Sequence, residues 1–173
     1  ARETANERTI FKLIHPGAIV DVSDVVSDWD LIEPEHITRN VEIKKGDILI
    51  IHTGFIDYYQ DMPKQDLVRY FTMHPGGSAR LAEWMADMEI RWWGIDAGSG
   101  DHPMNTTIRN MRPDLLAEFE KHVGMSYKEF FGEYTYTHHM SGREITSDIF
   151  PMHHLAFQDG CIHAENVGGD LKT

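Results

Sequence analysis

The chain has 173 residues, of which 41% are hydrophobic, and it carries a formal net charge of −12. This length predicts a single domain, residues 1–173, that is long enough to bury a sizeable core. The acidic balance argues against a nucleic-acid partner and against an anionic membrane surface, because both require clustered Lys and Arg, and no stretch reaches the ~20 apolar residues of a membrane span.

The first half of the chain predicts two strands. Residues 17–22 and 48–53 are rich in apolar side chains, and a turn at residues 44–47 precedes the second run. The nearly continuous apolar run within 48–53 is typical of a strand that is buried on both faces. Between the two strands, Pro34 lies early in the first turn of a predicted short helix.

A helix and a third strand follow. Four apolar side chains recur at the i, i+3, i+4 and i+7 spacing of an amphipathic helix, whose apolar face we assign to the core: Leu81, Trp84, Met85 and Met88. The next strand is predicted at residues 90–96, and a loop rich in Gly, Ser, Asp and His follows at 97–105. Such a loop after a strand end predicts a pocket, although the same composition also suits a plain surface connection.

Residues 113–139 change character along their length. The first half predicts a helix around Leu115 and Phe119. The second half carries four aromatic residues: Phe130, Phe131, Tyr134 and Tyr136. We interpret them as core packing or a subunit interface, and a lid over a hydrophobic substrate is the alternative.

The most informative segment is residues 152–166. His153 and His154 lie on a predicted short helix, and the strand after it ends at Glu165. Strand alternation places three side chains on one face: Cys161, His163 and Glu165. Imidazole nitrogen and carboxylate oxygen bind divalent transition ions, so the segment predicts half of a metal site. Alternatively, the two histidines are helix-cap residues and Glu165 is a surface carboxylate.

These elements predict the fold class and the compartment. Apolar strands near 17–22, 48–53, 90–95 and 161–166 alternate with helical periodicity, which predicts an α/β fold with one mixed sheet flanked by helices. Cys161 is the single cysteine, so an internal disulfide is excluded and a reducing, cytoplasmic compartment is favoured.

Several motifs also occur in an order that is typical of one known family. They are Gly46-Asp47 with Thr53-Gly54, His74-Pro75-Gly76 with Trp84, Gly94-Ile95-Asp96 with Ser99 and Asp101, and Met152-His153-His154 with Glu165-Asn166. On these motifs, residues 17–170 resemble the cyclase family of metal-dependent hydrolases, which includes kynurenine formamidase and isatin hydrolase. The resemblance implies the swivelling β/β/α fold of that family.

The resemblance also implies roles for individual residues. His153 and Glu165 match a histidine and a carboxylate that bind a divalent metal ion, Zn²⁺ or Mn²⁺. His154 matches the second histidine of the pair, which orients its neighbour or the substrate, and we expect it to act in catalysis. We expect Ser99, Asp101 and His102 to bind substrate.

The activity that the resemblance implies is hydrolysis of a carbon–nitrogen bond in a small, partly aromatic formamide or cyclic amide. A divalent ion lowers the pKa of a bound water towards ~7 and polarises a carbonyl oxygen, so no nucleophilic Ser or Cys is required. No Gly-x-Ser-x-Gly segment is found in the sequence.

One motif of the family is missing from this sequence. The segment His-x-Gly-Thr-His-x-Asp-x-Pro, which supplies most metal ligands and the candidate base in the family, does not occur. We therefore expect an incomplete portion of the family fold or one subunit of a split enzyme. That subunit would be active only in an oligomer with a second chain that holds the motif. The alternative is a degenerate, non-catalytic subunit that binds and positions such a partner.

Overall fold

The computed structural model describes residues 14–157, 160–169 and 171. The strands in these ranges are β1 (Gly17–Asp21), β2 (Leu31–Ile32), β3 (Ile48–His52), β4 (Gly76–Gly77), β5 (Trp92–Ile95), β6 (Tyr134–His138), β7 (Arg143–Ser147) and β8 (Ile162–Ala164). The α-helices are α1 (Pro34–Thr38), α2 (Leu67–Thr72), α3 (Ala79–Asp87), α4 (Ile108–Met111), α5 (Pro113–Val123) and α6 (Tyr127–Phe131). Short 3₁₀ helices span Phe55–Tyr58 and Pro103–Asn105, and a π-helix spans Met152–Ala156.

The central sheet has the strand order β1-β3-β5-β8. The four strands that the sequence predicted therefore share one sheet, and the α/β fold class is confirmed. The sheet differs from the prediction in one respect, because all three of its described pairings are parallel and not mixed. The reason is that each connection between neighbouring strands passes through helical segments, as a parallel crossover requires.

The two faces of the sheet have different surroundings. Residues in register across the strands point to the same face. The face that packs against α3 and the π-helix carries the rows Ala18, Leu49, Trp93 and His163, then Val20, Ile51 and Ile95. These residues are buried except Ala18, which is partly buried, and His163, which is exposed. The opposite face, which we call the open face, carries Gly17, Ile48, Trp92 and Ile162, then Ile19, Ile50, Gly94 and Ala164. Most side chains of the open face are partly exposed.

Helix α3 forms as its sequence predicted. The Ser78 hydroxyl accepts a hydrogen bond from Leu81 N at 3.0 Å and caps the first turn. Leu81 and Met85 are buried in the main core, and Trp84 and Met88 pack against that core while partly exposed. No helix in the described ranges is long and apolar enough to cross a bilayer.

A second cluster of apolar residues lies around α5. Leu115 and Phe119 are buried there together with Trp29 and Met104, and Phe130 and Phe131 pack against them. The Phe119 and Phe131 rings are stacked, with centroids 5.6 Å apart and an interplanar angle of 11°. The predicted helix is therefore confirmed, and Phe130 and Phe131 pack in this cluster as predicted.

Strands β6 and β7 form an antiparallel hairpin that the sequence analysis did not predict. Tyr134 and Tyr136 lie on β6 and are both 9% exposed. The turn before β7 contains Gly142, whose φ of 63° favours glycine. The hairpin separates these two tyrosines from Phe130 and Phe131 and brings them to the candidate site described below.

The carboxyl ends of β3 and β5 are joined by Asp96. Its buried carboxylate accepts hydrogen bonds from Thr53 N at 2.7 Å, Thr53 Oγ1 at 2.6 Å and Gly54 N at 2.9 Å. His52 Nδ1 lies 2.8 Å from the same carboxylate. A buried carboxylate needs such donors to offset its desolvation, so Asp96 fixes the loops at this end of the sheet.

Candidate metal centre

Three side chains with metal-binding atoms converge beside the carboxyl end of β8. They are His153, His163 and Glu165, and one ligand atom from each lies within 4.8 Å of the other two. His163 lies on β8 and Glu165 follows the strand directly, so strand alternation gives them the same face. His153 comes from the π-helix, a rare element that is often found at functional sites.

Asp101 orients His153. Its side chain is fully buried, and its Oδ1 accepts a hydrogen bond from Met152 N at 2.8 Å. Its Oδ2 lies 2.5 Å from His153 Nδ1. Because a carboxylate at this distance accepts the Nδ1 proton, it leaves Nε2 of His153 as the ligand nitrogen. A carboxylate behind a histidine ligand is a common arrangement in metal sites.

Glu165 is held by the loop after β5. Its Oε1 accepts hydrogen bonds from Ser99 Oγ at 3.1 Å and from Gly100 N at 2.9 Å. The Ser99 hydroxyl oxygen in turn lies 3.3 Å from Asp101 N. These bonds fix one carboxylate oxygen of Glu165 and leave the other available as a ligand.

Close packing of two glycines brings this loop against the π-helix. A Cβ atom on Gly76 would lie 2.1 Å from His102 N, and one on Gly77 would lie 2.3 Å from Met152 Sδ. Gly77 N also donates to Gly100 O at 2.9 Å. The two glycines therefore allow the backbone approach that places Asp101 beside His153.

The charges in the cluster act on the histidines in opposite directions. The hydrogen bond from Asp101 raises the pKa of His153, although burial opposes it. Burial lowers the pKa of His163, and the neighbouring His153 lowers it further. A histidine binds a metal ion in its neutral form. The lowered pKa favours the neutral form of His163, which is the form that can bind a metal ion.

His154 points to a different partner from that of His153. Its Nδ1 lies 2.6 Å from the hydroxyl of Tyr134, which also donates a hydrogen bond to the Ile149 carbonyl oxygen. The ring of His154 stacks on Tyr136, with centroids 4.5 Å apart and an interplanar angle of 14°. Burial lowers the pKa of His154.

A cavity of about 400 Å³ adjoins two of the three candidate ligands, His153 and His163. Its walls are Tyr136, His138, His139, His153, His154, Phe157 and His163. Several of these rings are stacked in pairs. The ring centroids of Phe157 and His163 are 4.2 Å apart, and the two rings make an interplanar angle of 8°. Flat rings on several sides suit a small planar ligand.

The structure places the predicted site residues in two groups. It brings His153 and Glu165 together, with His154 lining the adjoining cavity. Ser99 and Asp101 were predicted to bind substrate, but here they hold Glu165 and His153.

His102 lies outside the site. It is fully buried against Phe119 and Phe131, with Nε2 3.0 Å from the Trp29 carbonyl oxygen and Nδ1 accepting from Met104 N at 3.1 Å. With both ring nitrogens bonded to backbone, it has no free atom for a substrate, and we withdraw it from the predicted set.

Two residues of the site were not predicted. His163 was placed on the same strand face as Glu165, but its role as a third candidate ligand needed the position of the π-helix. Tyr134 belongs to the hairpin, and the signal that could have revealed the hairpin is the alternation of Tyr and Thr along β6 before a Ser-Gly turn.

The donor set fits a divalent transition ion. Two imidazoles and one carboxylate provide three protein ligands, which is the usual number at a catalytic zinc site with an open position. The chain therefore offers three candidate ligands where the motif predicted two, with His163 beside His153 and Glu165.

Fold and site together define an α/β protein with a candidate metal centre at the carboxyl end of a parallel sheet. A family model described as "Putative cyclase" matches residues 2–102, which is more than half of the chain. The chain belongs to the cyclase family. Comparisons with curated proteins and with solved structures gave no match. Ser99 and Asp101 lie inside the matched range, whereas the three candidate ligands lie beyond it.

Proposed function

We propose that this chain is a metal-dependent hydrolase that opens the carbon–nitrogen bond of a small formamide or cyclic amide. The observation that carries the proposal is the convergence of His153, His163 and Glu165 within 4.8 Å beside a cavity of about 400 Å³. Membership of the cyclase family supports the same reaction class.

Each residue of the site has a role in this proposal. His153, His163 and Glu165 hold a divalent ion, Zn²⁺ or Mn²⁺, which when bound supplies a water of lowered pKa and polarises the substrate carbonyl. In the neutral ring of His153, Asp101 accepts the proton on Nδ1 and so leaves Nε2 as the ligand nitrogen. Ser99 restrains Glu165.

The cavity wall selects and positions the substrate. His154 lies beside His153 on this wall, and we assign it to proton transfer with the reacting group. Tyr136 and Phe157 offer ring faces, which favour a flat, partly aromatic amide.

The test combines metal content with activity. We expect the protein, purified together with any chain that accompanies it, to bind about one equivalent of Zn²⁺ or Mn²⁺ per cluster and to hydrolyse members of a panel of aryl formamides and cyclic amides. The double variant His153→Ala, Glu165→Ala should lose both properties. The matched control His122→Ala, Glu118→Ala removes the same residue types from exposed positions of α5 and should keep both.

Two results would contradict the proposal. One is metal content in the His153→Ala, Glu165→Ala variant that equals that of the control. The other is amide hydrolysis that persists in that variant at the control rate.

A partner chain is a second proposal, and the open face of the sheet supports it. Ile48, Ile50, Trp92 and Ile162 on this face are partly exposed, and Ile19 is 38% exposed. Parallel sheets are normally covered on both faces. We propose that this face packs against another chain, one that carries the His-x-Gly-Thr-His-x-Asp motif, in an oligomer that places the motif near the metal centre.

Ile50→Glu tests the partner proposal. This substitution puts a charge on the open face, so it should abolish association in light scattering and native mass spectrometry. Glu144→Lys is the control, since Glu144 is exposed on β7. A monodisperse monomer that hydrolyses amides without any second chain would contradict the partner proposal and leave the metal proposal intact.

A further inference from the structure

We propose that Tyr134 is a positioning residue that sets the tautomer of His154, so that Nε2 of His154 is a hydrogen-bond acceptor. The role of this tautomer in catalysis rests on the proposed function. The contact between Tyr134 and His154, in contrast, is independent of any bound metal or substrate. Tyr134 lies on the β6–β7 hairpin, outside the residues that the family model matches.

The Tyr134 hydroxyl has one proton and two hydrogen-bond partners. A phenol has one proton to donate, and a backbone carbonyl oxygen can only accept. The Tyr134 hydroxyl bonds to both the Ile149 carbonyl oxygen and His154 Nδ1. Its proton is directed at the carbonyl, so the bond at 2.6 Å to His154 needs its proton from Nδ1.

The consequence falls on the other nitrogen of the ring. A neutral imidazole carries one N–H, so a proton on Nδ1 leaves a lone pair on Nε2. His154 lines the cavity next to His153. Its ring is held in place by stacking on Tyr136 and by its backbone N–H, which donates to Phe150 O at 2.9 Å. The lone pair is therefore held in a fixed direction.

The two neighbouring histidines have acceptors of different charge. His153 Nδ1 faces the carboxylate of Asp101, whereas His154 Nδ1 faces a neutral phenol. His153 belongs to the group of three candidate ligands, and His154 does not. A neutral acceptor fixes the tautomer without adding charge, which suits a group that accepts a proton from substrate or water.

The experiment reads the tautomer directly. The metal-free chain of 173 residues is labelled with ¹⁵N-histidine, and the ring nitrogens of His154 are assigned with a His154→Gln variant. At pH 8 the proposal predicts a protonated, pyrrole-type Nδ1 and an unprotonated, pyridine-type Nε2. In Tyr134→Phe the two nitrogen shifts should move toward each other, as the Nε2–H form gains population.

Tyr136→Phe is the matched control. It removes a hydroxyl from the same strand while keeping the ring that stacks on His154, so it should leave the wild-type shifts unchanged. A wild-type His154 protonated on Nε2 would overturn the proposal, and this reading needs no variant to fold. Unchanged shifts in Tyr134→Phe, or equal changes in both variants, would also overturn it. Because no metal or substrate is present, these outcomes are separate from a failure of the proposed activity.

Discussion

Replacement of Asp101 by Asn tests how the candidate metal centre is organised. The buried carboxylate of Asp101 accepts from Met152 N at 2.8 Å and faces His153 Nδ1 at 2.5 Å. An amide has one oxygen and one NH₂ group, so Asn can satisfy only one of these two donors and turns its NH₂ toward the other. The substitution keeps the size of the side chain and removes one acceptor.

The expected magnitudes follow from that single loss. A hydrogen bond to a charged group contributes about 1.5–3 kcal/mol, so the free energy of unfolding of the metal-free chain should fall by that amount. If the NH₂ group of Asn faces His153, Nδ1 of His153 becomes the acceptor. The ring proton of His153 then lies on Nε2, the ligand nitrogen. Zn²⁺ affinity should then fall by about 10–100-fold.

Two measurements check this prediction. Urea unfolding gives the stability change, and competition with a chromogenic chelator gives the change in Zn²⁺ affinity. Asp148→Asn is the control, because Asp148 pairs with Arg109 at 2.8 Å outside the ligand cluster. An Asp101→Asn variant that binds Zn²⁺ as tightly as the control would refute the role of Asp101 in orienting His153.

Three further predictions concern stability. Burial lowers the pKa of His102 to about 3, so the unfolded chain binds the proton first as pH falls below 6.5. The stabilisation that neutral His102 contributes is therefore complete above pH 6.5 and declines toward pH 3. From pH 8 to pH 5, urea titrations should show a loss about 2 kcal/mol larger in the wild type than in His102→Gln, because His74, whose pKa burial lowers to about 4, adds its own loss in both proteins. Asp96→Asn should lower the free energy of unfolding by about 3 kcal/mol, because it leaves a buried donor facing other donors. Asp114→Asn, which removes only an exposed pair with Arg112, should lower it by about 1 kcal/mol or less in the same assay. Gly76→Ala should lower the free energy of unfolding by about 3 kcal/mol, because the added Cβ clashes with the backbone at His102. The melting temperature of this variant should fall, whereas that of Gly168→Ala, whose added Cβ meets nothing within 4 Å, should show no comparable drop.

The strands of the central sheet could be predicted from the sequence because their signal is local. Residues 48–52 are apolar along most of the strand, and the helix at Leu81 and Met85 shows a clear 3.6-residue period. The alternation along β8 also determined that His163 and Glu165 share a face. The pairing of His153 with Glu165 was predicted from their motif, and the structure brings them together.

The composition of the site depended on contacts between distant parts of the chain. Ser99 and Glu165 are 66 positions apart, and Asp101 and His153 are 52 positions apart. No local period reports such contacts, so the sequence assigned Ser99 and Asp101 to substrate although they restrain the ligands. In the same way, His102 follows Asp101 directly, but its ring is buried in the other apolar cluster.

The sequence by itself determined the fold class, the four central strands and the chemical type of the candidate ligands, because hydrophobic periodicity and residue type are properties of short segments. Only the tertiary structure decided that His163 lies beside the other two candidate ligands and that Tyr134 faces His154. Both depend on packing between segments that are distant in sequence: the π-helix packs beside Gly77, which leaves room for the Met152 side chain, and the hairpin packs against the π-helix, so no single segment encodes either position.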